Sequence, residues 1–315
     1  MFKRTGILVL SALLVLAGAG GTEDSMHPPR QQVSVLVITM FEREAEPWFD
    51  SESFTRQVDI PGLGSPVHCA DNGLCLVTVG TGKVNAAISM AAILASDRLD
   101  LRNAYFLSAG IGGTPPGGGT LGFAGWADWV VDWDLGHHLL PDTAPDVPHG
   151  YLPGIETETT AFHLDDDLVS WAYESTRHLE LQDSAEAEEA RQNYPEQEGK
   201  VPYVTRCDTI TGDNYWAGEE LSARASYIMD LRTGRQGNYC TTQMEDTAIA
   251  AALERYGLLH RYLSLRTASN FDQPHKEQSV EELLGTYPGF VPAIANAYIV
   301  GSAVAHRLAS GERPE

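Results

Sequence analysis

Several carboxylates, one amide and two adjacent aromatics stand where this chain could grip a small polar ligand. Gln243-Met244-Glu245-Asp246 ends a polar approach and leads into an Ala-rich run. The Glu245 carboxylate can accept two hydrogen bonds from a vicinal diol, and the Met244 thioether can pack on a sugar face. The same glutamate also fits a capping box, Thr242-x-x-Glu245, which would satisfy an unpaired amide at a helix start near Thr242. Glu44, with Glu42 beside it, follows the first apolar stretch, where open α/β sheets keep their ligands. Acids there equally suit the first turn of a helix. Asn270 and Asp272 lie in the polar exit of the last strand, and Asp272, two residues before Pro274, could also serve as a turn carboxylate. Tyr215 and Trp216 follow a Gly212-Asp213 turn and offer flat faces to a heterocycle or to the core. His137 and His138 end another strand; adjacent strand residues point to opposite faces, so a shared metal is not expected.

The elements that must position these residues alternate. Val33 to Ile38 is apolar and β-branched, as a buried strand is. Val67 to Ala70 and Leu74 to Val79 predict a hairpin across Asp71-Asn72-Gly73. Gly80-Thr81-Gly82-Lys83 then joins a strand to an Ala-rich helix, a place where backbone amides can approach a ligand or a neighbouring strand. Ala104 to Leu107 predicts a core strand ending in Ser108-Ala109-Gly110-Ile111-Gly112-Gly113, a backbone cradle or a tight turn. Leu263 to Arg266 predicts the last strand, and Pro292 to Leu308 a closing helix. Residues from about 140 to 200 are rich in proline and then in acids, and read as an insertion with a helix starting at Asp165-Asp166-Asp167. The alternation predicts one α/β domain around a largely buried mixed sheet.

The chain has 315 residues and a formal net charge of −22, too acidic to bind nucleic acid or an anionic membrane through net charge. Lys3 and Arg4, an apolar run and Ala17-Gly18-Ala19 read as a secretory signal peptide over residues 1–20, followed by a disordered lead-in over 21–32 and the folded domain over 33–315. Exported, periplasmic or secreted placement follows as an expectation. No later stretch has the roughly 18 consecutive apolar residues of a membrane span, so no span is expected in the mature protein. Four cysteines, Cys69, Cys75, Cys207 and Cys240, allow three pairings, and free buried thiols remain an alternative. Their spacing matches no common zinc pattern, and no metal is expected.

Gly80-Thr-Gly-Lys-Val-Asn-Ala-Ala87, Ser108-Ala-Gly-Ile-Gly-Gly113, Gly212-Asp213-Asn-Tyr215, Gln243-Met244-Glu245 and Arg266-x-x-Ser269-Asn270 resemble, in this order, the motifs of the nucleoside phosphorylase and nucleosidase superfamily. Met40-Phe41 with Glu44 and Trp48, Trp133-Asp-Leu-Gly-His-His138 and Gly212-Asp-Asn-Tyr-Trp216 are similar more closely to the family named purine nucleoside permeases. The resemblance implies a nucleoside-phosphorylase-like α/β/α fold with a central mixed β-sheet and a purine nucleoside as ligand. It implies a ribose clamp of Met244 and Glu245 with Ser108 and Gly110. Asn270, or Asp272 as a protonated acid, would donate to the purine N7, and Tyr215 or Trp216 would stack the base, with Asp213 nearby. Glu44 would activate water. Arg43, Gly82, His137 and His138 stand as candidates for an anion or the ligand's 5′ end. The hexameric phosphorylases carry a phosphate-binding arginine where Leu107 stands here, which favours hydrolysis over phosphorolysis. Phosphate stays open as a co-substrate, and no other cofactor is implied. The expectation is an exported, homo-oligomeric purine nucleoside N-ribosylhydrolase or phosphorylase that frees base for salvage. The alternative is a non-catalytic, soluble nucleoside-binding component of nucleoside uptake.

Overall fold

The computed structural model describes residues 30–154 and 157–313. Residues 1–20, expected as a signal peptide, and residues 21–29 of the expected lead-in lie outside the described residues. Gln31–Gln32 is a short strand paired in parallel with Leu99–Asp100.

The first core strand, Val35–Thr39, is buried at every position. Its run of β-branched residues requires cover on both faces and neighbours on both edges. Leu74–Thr78 pairs with it in parallel on one side and Tyr105–Thr114 on the other. From edge to edge the main sheet runs Ala161–His163, Trp129–Asp132, Asp208–Thr211, Tyr239–Gln243, Tyr105–Thr114, Val35–Thr39, Leu74–Thr78, Val67–Cys69 and Arg56–Val58. Tyr262–Phe271 pairs in parallel with Tyr105–Thr114 and antiparallel with Ala124–Trp126, which closes a second arm of this mixed sheet. The edge strand Ala161–His163 comes from the acidic segment, followed by a helix, Asp166–Thr176, capped where the Asp165 side chain accepts from the Leu168 amide.

Both faces are covered, and the strand Tyr262–Phe271 shows how. Ser264 and Arg266 bond to Asp246 on the helix Asp246–Arg255. Leu265, between them, packs at Gly301 of the closing helix Phe290–Ala309. Alternate strand residues point to opposite faces, so the two helices lie on opposite sides of the sheet. The closing helix buries Ala293, Asn296, Ala297, Val300, Gly301 and Val304, the stripe its spacing predicts. The predicted hairpin forms, and a disulfide joins Cys69 to Cys75 across it. A second joins Cys207 to Cys240.

The helix expected near Thr242 starts later. Thr242 belongs to the strand Tyr239–Gln243, paired with Ile210 on one side and Gly113 on the other, and the helix begins at Asp246. Thr242 therefore caps nothing. The Gln243 side chain does that work: its Oε1 accepts from the amides of Glu245 (2.7 Å) and Asp246 (3.0 Å), and its Nε2 donates to Thr211 Oγ1 (2.6 Å).

Candidate ligand site

Relieved of capping, Glu245 faces a cavity of about 450 Å³ at the ends of these strands. Its Oε1 accepts from the Gly82 amide (2.9 Å) and its Oε2 from Arg266 Nη2 (3.1 Å). Gly82 can present that amide because its φ is 89°, a left-handed conformation that costs glycine little. Each carboxylate oxygen still has a lone pair to offer. Arg266 also donates to both Asp246 oxygens, at 2.6 and 3.1 Å, and to the Ile111 carbonyl (3.1 Å). Glu44 completes the group: its Oε2 accepts from the Met40 amide (2.7 Å) and its Oε1 from the Ile111 amide (2.8 Å). All four charged side chains are buried.

The glycines of the strand Tyr105–Thr114 make room for this cluster and form no turn. A Cβ on Gly110 would stand 2.7 Å from Glu44 Oε1, and one on Gly112 would stand 2.6 Å from the Thr242 carbonyl oxygen. Gly110 thus packs against the Glu44 carboxylate, while Gly112 and Gly113 line the cavity.

Burial raises the Glu44 pKa to about 7, against the lowering pull of Arg266 and the two amides. Burial likewise raises Glu245, again opposed by Arg266. The site therefore holds a group that can take up or release a proton near neutral pH beside a second carboxylate. An unfolded glutamate loses its proton near pH 4.5, so between that pH and about 7 the folded state binds more protons at Glu44 than the unfolded state does. That contribution to stability is complete below about pH 4.5 and is lost as pH rises through about 7, in all about 3 kcal/mol. Denaturant unfolding of the wild type between pH 5 and 8 should show stability falling with pH. Glu44→Gln should flatten the slope without abolishing it, since burial also raises Asp208 and Asp272 to about 6. Equal slopes in the two proteins would mean that Glu44 titrates normally.

The far end of the cavity is lined by Gly212, Asn214, Tyr215, Trp216, Asn270 and Asp272. Tyr215 is 71% exposed and free to stack, whereas Trp216 is already stacked on Trp133 at 4.8 Å and 15°. A charge relay in space fixes this loop: Lys83 Nζ contacts Asp132 (2.8 Å) and Asp134 (2.5 Å), Asp134 accepts from the Asp213 amide (2.9 Å), and Asp213 accepts from the Lys83 amide (2.8 Å). Asp213 thus ties two loops together instead of lining the cavity. Asn270 Oδ1 accepts from Ser269 Oγ (2.8 Å) and its Nδ2 donates to the Phe271 carbonyl (3.1 Å). Asp272 Oδ2 accepts from Ser222 Oγ (2.8 Å) and from the Tyr239 hydroxyl (2.7 Å).

The structure brings Glu44, Met244, Glu245, Tyr215, Trp216, Asn270 and Asp272 to one cavity. It does not bring Ser108, whose hydroxyl is bonded to that of Tyr262. Arg43 is exposed and pairs with Glu46 (3.4 Å). His137 is exposed on the short strand Gly136–His138, and His138 is bonded to the Trp133 carbonyl. Gly82 acts through Glu245. Sequence reasoning named Arg266 only as part of a motif. A signal was present: an arginine inside the apolar run Leu263-Ser-Leu-Arg266 must be paired if the strand is buried.

Residues 32–312 match the family model for purine nucleoside permease. A probable purine nucleoside permease of Schizosaccharomyces pombe is 31% identical over 307 residues, which cover 87% of each chain. A purine nucleoside permease of Candida albicans is 31% identical over 305 residues, covering 88% of this chain and 75% of that one. Among solved structures, a 5′-methylthioadenosine/S-adenosylhomocysteine nucleosidase from Colwellia psychrerythraea in complex with adenine has a TM-score of 0.57 at 19% identity, covering 89% of this chain and 96% of that one. Futalosine hydrolase of Helicobacter pylori has a TM-score of 0.58 at 14% identity, covering 88% and 98%. At such identities the structural likeness shows the fold: the α/β arrangement with a central mixed sheet is that of these nucleosidases.

Two expectations are corrected by the relatives. The curated homologues are named permeases, so the exported N-ribosylhydrolase or phosphorylase falls as the reading of this chain. Exported placement falls with it, because the activity in those names is membrane transport. Among the described residues no helix is long and apolar enough to cross a membrane. The error was to carry an activity over from a shared fold.

Proposed function

The chain belongs to the purine nucleoside permease family, and from that premise we propose that its cavity recognises a purine nucleoside in nucleoside uptake. The observation that carries this reading is Glu245, a buried carboxylate fixed by one amide and one guanidinium, with lone pairs to spare at the cavity wall beside Met244. Such a group suits the vicinal diol of a ribose. At the other end, Tyr215 offers a stacking face, and Asn270 and Asp272 offer polar atoms to a base. The volume falls within the range of small-molecule sites, about 300–1,000 Å³. The Colwellia nucleosidase of similar fold holds adenine, which is in keeping with a purine ligand.

Equilibrium binding to the full chain tests the reading. Purine ribonucleosides should bind, and uridine and cytidine should bind at least about tenfold more weakly, having less area to stack and no N7. Absence of purine binding, or equal affinity for pyrimidines, would remove it.

A further inference from the structure

Four charged residues stand outside the cavity lining but behind its wall: Lys83, Asp132, Asp134 and Asp213. They come from three separate strand exits. Lys83 opens the helix Lys83–Ala95 after Leu74–Thr78, Asp132 and Asp134 bracket Trp133 at the exit of Trp129–Asp132, and Asp213 follows Asp208–Thr211. An ammonium can donate three hydrogen bonds, and that of Lys83 spends two on Asp132 and Asp134. Asp132 is itself held by the Leu135 amide (2.7 Å). Each of these contacts leads on to a cavity group. Trp133 packs on Gly212, where a Cβ would stand 2.9 Å from its Cδ1, and stacks on Trp216. Asp134 accepts from the amide of Asp213, two residues before Tyr215. On the other side the Lys83 amide donates to Asp213, and the amide before it, that of Gly82, donates to Glu245. A Cβ on Gly82 would stand 3.1 Å from Asp213 Oδ1, so the two loops are in contact. The surroundings of one lysine thus reach from the carboxylate at one end of the cavity to the aromatics at the other.

We infer that Lys83 is a positioning residue: without touching the ligand, it fixes the spacing between Glu245 and the aromatics Tyr215 and Trp216, so that the two halves of a nucleoside bind as one. The inference rests on the nucleoside reading above. Two linked groups bind more tightly than either alone only when their sites are held at the distance the link sets. Loops that must first be ordered by the ligand give up part of that advantage. Without the ammonium, Asp132 and Asp134 are two like charges left facing one another. The segment that carries Trp133 and holds the Asp213 amide then loses its fixed shape, and the aromatics are no longer tied to the loop that braces Glu245.

Calorimetric titration of the full chain with adenosine and with adenine tests this. The wild type should bind adenosine more tightly, since only the riboside reaches Glu245. Lys83→Met should weaken adenosine about tenfold or more and adenine by no more than about threefold, so that the ratio of the two affinities falls. Lys83→Arg keeps the charge and should keep most of the ratio. Adding Asp134→Asn to Lys83→Met restores the local charge balance and sets an amide nitrogen near Asp132, and should recover part of the ratio but not all of it. A lysine that only stabilised the fold would weaken both ligands alike and would not be replaced in this way. An unchanged ratio in Lys83→Met, or an equal loss for both ligands, would overturn the inference. The charge-balanced double variant decides alone if Lys83→Met does not fold: a ratio equal to that of the wild type would overturn the inference. Amide hydrogen exchange of the ligand-free Lys83→Met protein should be faster in both residues 80–83 and residues 212–216; faster exchange in one loop only would show that the lysine does not link them. Failure of the wild type to bind adenosine would overturn the nucleoside reading and this inference together; binding with an unchanged ratio overturns this inference alone.

Discussion

Glu245→Ala is expected to weaken the binding of a purine riboside by about 100-fold while changing the affinity for the free base by only a few fold. A hydrogen bond to a charged acceptor contributes about 1.5–3 kcal/mol, and a diol makes two to this carboxylate, so about 3 kcal/mol, or two decades of affinity, is a conservative loss. The free base makes neither bond. The variant also releases the Gly82 amide and one of the contacts of Arg266, so it should unfold more easily than the wild type. Binding must therefore be measured well below its midpoint. Glu245→Gln keeps the shape and a single acceptor, and should fall between the two proteins for ribosides. An equal loss for riboside and base would return Glu245 to a purely architectural role, holding Gly80–Lys83 against Arg266.

How much of this site could be read from residues alone depends on how local each residue's partners are. The Asp71-Asn72-Gly73 hairpin and the closing helix were legible because their signals lie within a few residues, in turn chemistry and in helical spacing. The placing of Met244 and Glu245 at a cavity was legible because they stand at the mouth of an Ala-rich helix, after a strand's polar end. The element holding them was misread. Tyr239-Cys-Thr-Thr-Gln243 is polar, yet four of its five residues are buried, because the strand lies between Asp208–Thr211 and the end of Tyr105–Thr114. Its burial comes from neighbours distant in sequence, and so no local pattern marks it. Asp213 and His138 were misplaced for the same reason: a turn aspartate and a strand-end histidine suit a ligand, but their partners here are the Lys83 amide and the Trp133 carbonyl.

The largest loss of stability is expected for Arg266→Met. Arg266 is buried and is the cation bonded to Glu245 and to both oxygens of Asp246, and its charge also lowers the pKa of Glu44. Methionine fills similar volume, so packing loss is small and the effect is electrostatic. Removing one partner of a buried ion pair costs about 3–5 kcal/mol, because the charge left behind is neither solvated nor paired. For a domain of this size that corresponds to a fall in Tm of about 10 °C. The cost should depend on pH with a definite sign. Without the guanidinium, only the backbone amides of Met40, Ile111 and Gly82 oppose burial of Glu44 and Glu245, and their pKa values rise further; protonation then relieves the repulsion. The difference between wild type and variant should therefore be largest near pH 8 and shrink toward pH 5. Arg266→Lys retains the charge but not the forked geometry that meets both Asp246 oxygens, and should recover part of the loss at pH 8. A Tm for Arg266→Met equal to the wild type at pH 8 would show that the carboxylates are already protonated in the folded protein, and would remove the charged form of Glu245 on which the proposed ribose recognition rests.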